Sequence, residues 1–225
     1  MSHSYEVEIK TLLGSKENAD SLKEKLVAKG AQLVPEKSSK QLNHYFVAED
    51  YTGLIDVMDE YIPEDRKDLF AKAIKEGKGT SVRTREANGK VIFVIKASVN
   101  DDSSSNGTSR IEFEEVVPLS LDELDKLLLS AGLEYQAKWS REREEYKMDD
   151  TNISIDKNAG YGYLAEFEQV TDVEAELDNV KQSLHNMMAE FGVEELKQDR
   201  LERMFDFYNK NWAQYYGTDN VFNIE

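Results

Sequence analysis

Residues Glu6-Val-Glu-Ile-Lys10 alternate charged and apolar side chains without a break. On an extended strand successive side chains point to opposite faces, and residues two apart lie about 6.6 Å from each other along one face. Glu6, Glu8 and Lys10 therefore share one face, and Val7 and Ile9 share the other. One face suits a hydrophobic core; the other carries three charges.

The same parity recurs down the chain. In Ser81-Val-Arg-Thr-Arg85, the side chains of Arg83 and Arg85 lie together, opposite Val82. In Val91-Ile-Phe-Val-Ile-Lys-Ala97, Phe93 and Ile95 oppose a row ending in Lys96. Arg110, Glu112 and Glu114 oppose Ile111 and Phe113. Arg141 and Arg143 share a row with Trp139, Asp156 opposes Ile153 and Ile155, and Glu166 and Glu168 oppose Ala165 and Phe167. An antiparallel sheet with one wet face explains the alternation. It does not explain the sorting, because Glu-x-Glu occurs three times and Arg-x-Arg twice where a wet face would mix Lys, Glu, Thr, Ser and Gln.

Seven acids (Glu6, Glu8, Glu112, Glu114, Asp156, Glu166, Glu168) accompany seven bases (Lys10, Arg83, Arg85, Lys96, Arg110, Arg141, Arg143) in these rows. The whole chain carries 45 acids and 28 bases, a net charge of −17. The rows are balanced, so the excess acid lies on helices and loops. Charges brought together on one face are costly unless they pair or bind ligands. Clustered carboxylates hold a divalent cation, and clustered Arg and Lys hold a polyanion. Together they point to a metal–polyphosphate ligand.

Strands are expected at about 4–12, 31–35, 40–48, 80–87, 90–98, 109–117, 134–148, 151–157 and 161–170. Asn106-Gly marks a hairpin turn within the polar stretch 100–108. Apolar spacing predicts helices over 15–29, stopped at Gly30, and over 54–61 and 66–76, split at Pro63 and closed by Gly77. Ser120-Leu-Asp-Glu123 and Thr171-Asp-Val-Glu174 have capping-box spacing, each opening a helix. A last helix runs from about Gln198 to Tyr216, its aromatics expected as a packing face. Hairpin-linked strands with helices between and after them give an α+β fold, a largely antiparallel sheet that curls or closes with helices outside. No repeat or Pro/Gly/Ser-rich linker divides the 225 residues, so one domain is expected, with the core at about 4–170 and C-terminal helices at about 172–217.

Composition narrows the partners. A net charge of −17 repels phosphate backbones, so nucleic acid is not expected as a partner. With no Cys and three scattered His there is no thiol nucleophile, disulfide or zinc cluster, and any metal would be a hard ion on carboxylates. No run approaches the roughly 20 apolar residues of a membrane helix, and Met1–Glu6 enters a charged strand directly. A cytoplasmic monomer or homodimer away from membranes is the expectation. His44 is expected at the surface or at a mouth of the closed sheet, not in catalysis, and Glu142, Glu144 and Glu145 on a solvated outer face.

The ordered motifs resemble those of the CYTH superfamily, the triphosphate tunnel metalloenzymes. Glu6-Val-Glu-Ile-Lys10 is similar to its Glu-x-Glu-x-Lys signature. Arg83-Thr-Arg85, Lys96, Glu112-Phe-Glu114, Arg141-Glu-Arg143 leading to Tyr146, Asp156 and Gly162-Tyr-Leu-Ala-Glu-Phe-Glu168 follow in the family's order. The likeness implies an eight-stranded antiparallel closed barrel, a tunnel with a charged lumen, acting on triphosphates with Mg²⁺ or Mn²⁺. It implies Glu6, Glu8, Glu166 and Glu168 as metal ligands, with Asp156 reaching the ion through water. Glu112 and Glu114 either hold a second metal or pair with Arg. Lys10, Arg83, Arg85, Lys96, Arg110, Arg141 and Arg143 would grip the triphosphate, with Glu6, Glu8, Lys10, Lys96 and Glu168 nearest the chemistry. Tyr45 is either a wall residue or a partner of Lys96 in base chemistry.

The chain departs from the family pattern in three places. Asn43 stands where Asp is usual, Arg141 where Lys is frequent, and the 53–79 segment is long enough to form a lid or to change access to one mouth. The implied activity is hydrolysis of inorganic triphosphate or a small organic triphosphate such as thiamine triphosphate or a nucleotide. The alternatives are a class IV adenylate cyclase, making cyclic AMP and pyrophosphate from ATP, and a non-catalytic polyphosphate or nucleotide binder.

Overall fold

Each alternating stretch becomes a strand. A computed structural model describes residues 5–98 and 110–225. The elements are β1 (Tyr5–Gly14), α1 (Lys16–Ala28), β2 (Gln32–Leu33), β3 (Ser39–Val47), α2 (Gly53–Met58), α3 (Lys67–Glu76), β4 (Lys78–Ala87), β5 (Lys90–Ser98), β6 (Arg110–Val117), α4 (Leu121–Ser130), β7 (Glu134–Met148), β8 (Thr151–Asn158), β9 (Gly162–Thr171), α5 (Leu177–Phe191) and α6 (Gln198–Asn211). The turn expected at 100–108 lies outside the described residues. No helix among those described is long and apolar enough to cross a membrane.

The chain divides into two compact units, residues 5–40 with 140–225 and residues 41–98 with 110–139. In the first, the antiparallel order is β1-β9-β8-β7, with β2 on β7. Val7, Ile9, Ile153, Ile155, Ala165 and Phe167 are buried beneath Leu22 and Leu26 of α1 and Leu184, Met188 and Phe191 of α5. The apolar parity is thus the helix-covered face, and burying it is what drives the sheet together. The β8–β9 turn is tied to the C-terminal segment: Gly160 N donates to Asn220 O, and Phe222 N donates to Gly160 O. Gly160 has φ +78°, and a side chain there would strike Phe222 and Tyr208. Met204 and Tyr208 of α6 are buried, so α6 does supply a packing face, although Phe205 points outward.

In the second unit the order is β7-β3-β4-β5-β6. Phe46, Val82, Phe93, Ile95 and Phe113 form its floor, covered by Leu54 and Met58, by Phe70 and Ala73, and by Leu124 and Leu128. Phe70 packs between Phe93 and Phe113, with ring centres 5.9 and 5.4 Å away. The 53–79 segment is therefore core and not a lid, because its apolar side chains are what cover this face. The Ser120 capping box forms as expected.

Two expectations are corrected. The sheet is not closed into a barrel: among the described residues the pairing order runs through the expected eight strands, with the short β2 off it on β7, and no pairing joins β1 to β6. Strand parity records which way a side chain points, whereas closure depends on stagger and twist accumulated over every strand. The second capping-box spacing does not open the helix directly either. Thr171 ends β9 and its hydroxyl accepts from Val173 N, and α5 begins only at Leu177 after a 3₁₀ turn.

Candidate functional site

In the first unit the expected charged row is real and internally paired. Register places Glu8 opposite Glu168 and Lys10 opposite Glu166. Lys10 Nζ donates to Glu8 Oε1 at 2.6 Å and lies 3.6 Å from Glu166. Arg143, opposite Asp156, donates to both its oxygens at 2.7 and 2.6 Å and also to Glu166 at 2.8 Å. Arg141 reaches Asp156 at 3.3 Å. Glu168 accepts from Asn152 at 3.3 Å, and Glu6 lies opposite Val170. A chain of alternating charge thus runs Glu8–Lys10–Glu166–Arg143–Asp156–Arg141, each link held by cross-strand or same-face spacing.

That alternation acts on Glu166 and Lys10. Burial pushes the Glu166 carboxyl up, but Lys10, Arg143 and Arg141 together hold it far below the ordinary glutamate value. Burial pulls Lys10 down, and Glu166 and Glu8 more than reverse this, leaving it raised. Lys10 thus stands in this row as an ammonium paired with Glu8 and Glu166.

In the second unit Asn43 pairs with Arg85 and Tyr45 with Arg83 across β3 and β4. Arg85 Nε donates to Asn43 Oδ1 at 2.8 Å, and its Nη1 lies 3.2 Å from Glu114. Arg83 donates to Ser81 at 3.1 Å and stacks on the Tyr45 ring, 4.4 Å from its centre. The Trp139 ring is 6.4 Å from that of Tyr45. Tyr45 is thus packed as a wall residue. Lys96 lies opposite Ser81 and Glu112. The side chains of Arg110 and Glu112 lie outside the described residues.

Two side chains are elsewhere than expected. Glu145 is on the charged side of β7, opposite Ser154, with its carboxylate 2.9 Å from Lys37. Its odd number put it in the Arg141–Arg143 row from the outset; the surrounding run of acids obscured that. His44 is not at the surface: it is 3% exposed, on the helix-covered side. Its Nδ1 donates to Asp125 Oδ2 at 2.6 Å, and Thr84 and Tyr135 hydroxyls donate to the same carboxylate at 2.6 and 2.7 Å. Lys138 Nζ is 3.8 Å away. Asp125 was passed over in the sequence, although it interrupts the otherwise leucine inner stripe Leu121, Leu124, Leu128, a signal that was available.

The sequence matches the CYTH domain family over residues 4–201. The chain belongs to that family. A Pyrococcus horikoshii protein has a similar fold at 17% identity, with a TM-score of 0.58 covering 86% of this chain and 92% of that one. A candidate adenylate cyclase from Vibrio parahaemolyticus aligns at 16% identity and TM-score 0.58, over 90% and 98% of the two chains. A candidate adenylyl cyclase from Hippeastrum, described as having a dominant triphosphatase activity, aligns at 15% and 0.56, over 91% and 95%. At these identities the likeness is one of fold. None of the curated proteins compared with the sequence matches it.

Triphosphate tunnel metalloenzymes of the CYTH superfamily use divalent metals. The donor chemistry here fits: Glu8, Glu166 and Glu168 are hard oxygen donors on the same face of paired strands, with Glu6 next along β1. Among the described residues no three acids gather at one point. Lys10 and Arg143 hold Glu8 and Glu166 instead, so a cation would compete with them for those oxygens.

Proposed function

We propose that this CYTH protein is a divalent-metal-dependent triphosphatase acting on inorganic triphosphate or a small organic triphosphate. The observation that supports the reading best is the alternating ion-pair chain from Glu8 to Arg141, in which carboxylates and guanidiniums are held ready on one sheet face. A polyanion binder alone would need only the bases. Arg141 and Arg143, like Arg83 and Arg85, present planar donor forks suited to phosphate oxygens. Lys10, paired with Glu8 and Glu166, would contribute positive charge toward the phosphates. Glu6, Glu8, Glu166 and Glu168 would hold Mg²⁺ or Mn²⁺. When bound, that ion neutralises phosphate charge and orients the phosphates for attack by water. A carboxylate of the same row would orient that water.

The test is a two-product assay with Mg²⁺ or Mn²⁺. Orthophosphate is scored from tripolyphosphate, thiamine triphosphate and ATP, and cyclic AMP and pyrophosphate from ATP. Orthophosphate without cyclic AMP is expected. Cyclic AMP with stoichiometric pyrophosphate would replace hydrolysis by cyclisation, and silence on every substrate with tripolyphosphate still bound would leave a binding module.

A further inference from the structure

A carboxylate buried in an apolar helix–sheet interface needs a reason. Asp125 is 2% exposed, on an α4 face otherwise built of leucine. A well-packed apolar residue at such a site is often as stable or more so, whereas a fully bonded buried network specifies one arrangement of what it joins. What Asp125 joins is informative. Its oxygens take hydrogen bonds from His44 on β3, Thr84 on β4 and Tyr135 on β7.

His44 and Thr84 are themselves a cross-strand pair, and the pairs on either side are Asn43 with Arg85 and Tyr45 with Arg83. Because side chains alternate, these neighbours project from the opposite face. Each arginine takes one contact from β3, Arg85 from the Asn43 amide oxygen and Arg83 from the Tyr45 ring, beside those with Glu114 on β6 and Ser81 on β4. The placement of β3 against β4 at this point therefore sets one contact of each guanidinium, and Asp125 bonds both strands there.

We propose that Asp125 is a positioning residue for Arg83 and Arg85, locking the His44–Thr84 pair from behind so that the two guanidiniums are held for an anionic ligand. The inference rests on the phosphate-binding role given to these arginines above. It adds a part of the machinery on the far side of the sheet, where no ligand reaches.

The experiment uses the full chain with Asp125→Asn and, should that variant not fold, Thr84→Val, which removes one bond and keeps the shape. Circular dichroism establishes folding. The side-chain Nε–Hε NMR signals of Arg83 and Arg85 are then recorded without ligand, and tripolyphosphate affinity is measured by calorimetry. The expected result is displaced or broadened arginine signals and an affinity weakened about tenfold. In an Arg85→Ala background the same change should cost less, about threefold, because only Arg83 is then left to position and coupled residues do not act additively. A residue that merely stabilises the core would lower the melting temperature and leave arginine signals and affinity unchanged; that result overturns the proposal. If wild-type protein fails to bind tripolyphosphate, the triphosphatase reading falls, and the arginine signals alone decide: moved signals uphold the positioning role, unmoved signals end it.

Discussion

Arg143 meets Asp156 as a two-nitrogen fork, Nε to Oδ1 at 2.7 Å and Nη2 to Oδ2 at 2.6 Å, between directly opposed residues of β7 and β8. Asp156 is 1% exposed, so that fork takes the place of water at its two oxygens. Arg143→Ala would leave it only Arg141 at 3.3 Å. Removing one partner of a buried pair typically costs about 3 kcal/mol or more, and that loss is expected here in urea unfolding. Arg143→Lys, with one ammonium in place of two aligned donors, should fall between alanine and wild type. Equal stability of all three would mean that Asp156 is satisfied in some other way.

Glu8→Gln and Arg85→Ala test the two charged rows separately. Glu8→Gln keeps the shape but removes a negative oxygen donor, while Lys10 keeps Glu166 at 3.6 Å. Arg85→Ala removes a donor fork whose side chain is only partly buried. Each should lower tripolyphosphate turnover on the order of a hundredfold, the usual loss when a charge-stabilising donor is deleted. Circular dichroism and melting temperature should change little. Full activity in either variant would remove that row from the reaction.

Strand parity was legible because it needs only the residue two positions away. Glu6, Glu8, Lys10, Arg83, Arg85, Arg141 and Arg143 lie on the faces expected, and all nine strands fall within a few residues of their expected places. What parity cannot carry is the partner across the sheet. That Lys10 faces Glu166, or that Arg143 bridges Asp156 and Glu166, follows from register between strands far apart in sequence. His44 was misplaced for a related reason. Histidine alone reads as a polar surface residue, and its burial depends on Asp125, 81 residues away. The 53–79 segment read as an insertion because its covering role is visible only once Phe70 meets Phe93 and Phe113.

Asp125 also gives the protein an acid limit. Burial pushes its carboxyl up, and hydrogen bonds from His44, Thr84 and Tyr135 together bring it below the ordinary aspartate value. Its folded-state pKa thus lies below the unfolded value of about 3.9. The stabilisation is complete above that value and is lost as pH falls through the folded one. His44, Tyr135 and Lys138 are the titratable groups facing it. Melting temperatures of wild type and Asp125→Asn should differ most near neutrality and converge below about pH 4. A constant gap down to pH 2.5 would show that the Asp125 carboxyl titrates alike in the folded and unfolded chain, and a gap that shifts in favour of wild type as pH falls from 7 to 4 would show it neutral in the folded protein; either result overturns the acid limit.

A divalent ion should register as stability before it registers as turnover. Glu8 and Glu166 are shared with Lys10, and Glu168 lies opposite Glu8, so a cation entering this row must take oxygens from an existing pair. Binding to the folded chain alone at a hundred times the dissociation constant stabilises by about 2.7 kcal/mol. For a chain of this size that is a rise of roughly 5–10 °C in melting temperature. Mg²⁺ or Mn²⁺ should produce that rise in a saturable way, and Ca²⁺ with its longer bonds a different one. Chelation should reverse the rise and abolish orthophosphate release. Glu168→Gln should blunt the rise while leaving the metal-free melting temperature close to wild type, since the Glu168 side chain accepts from Asn152 at a long 3.3 Å and a glutamine oxygen can do the same. A metal response that survives in both Glu168→Gln and Glu8→Gln would place the ion away from this row.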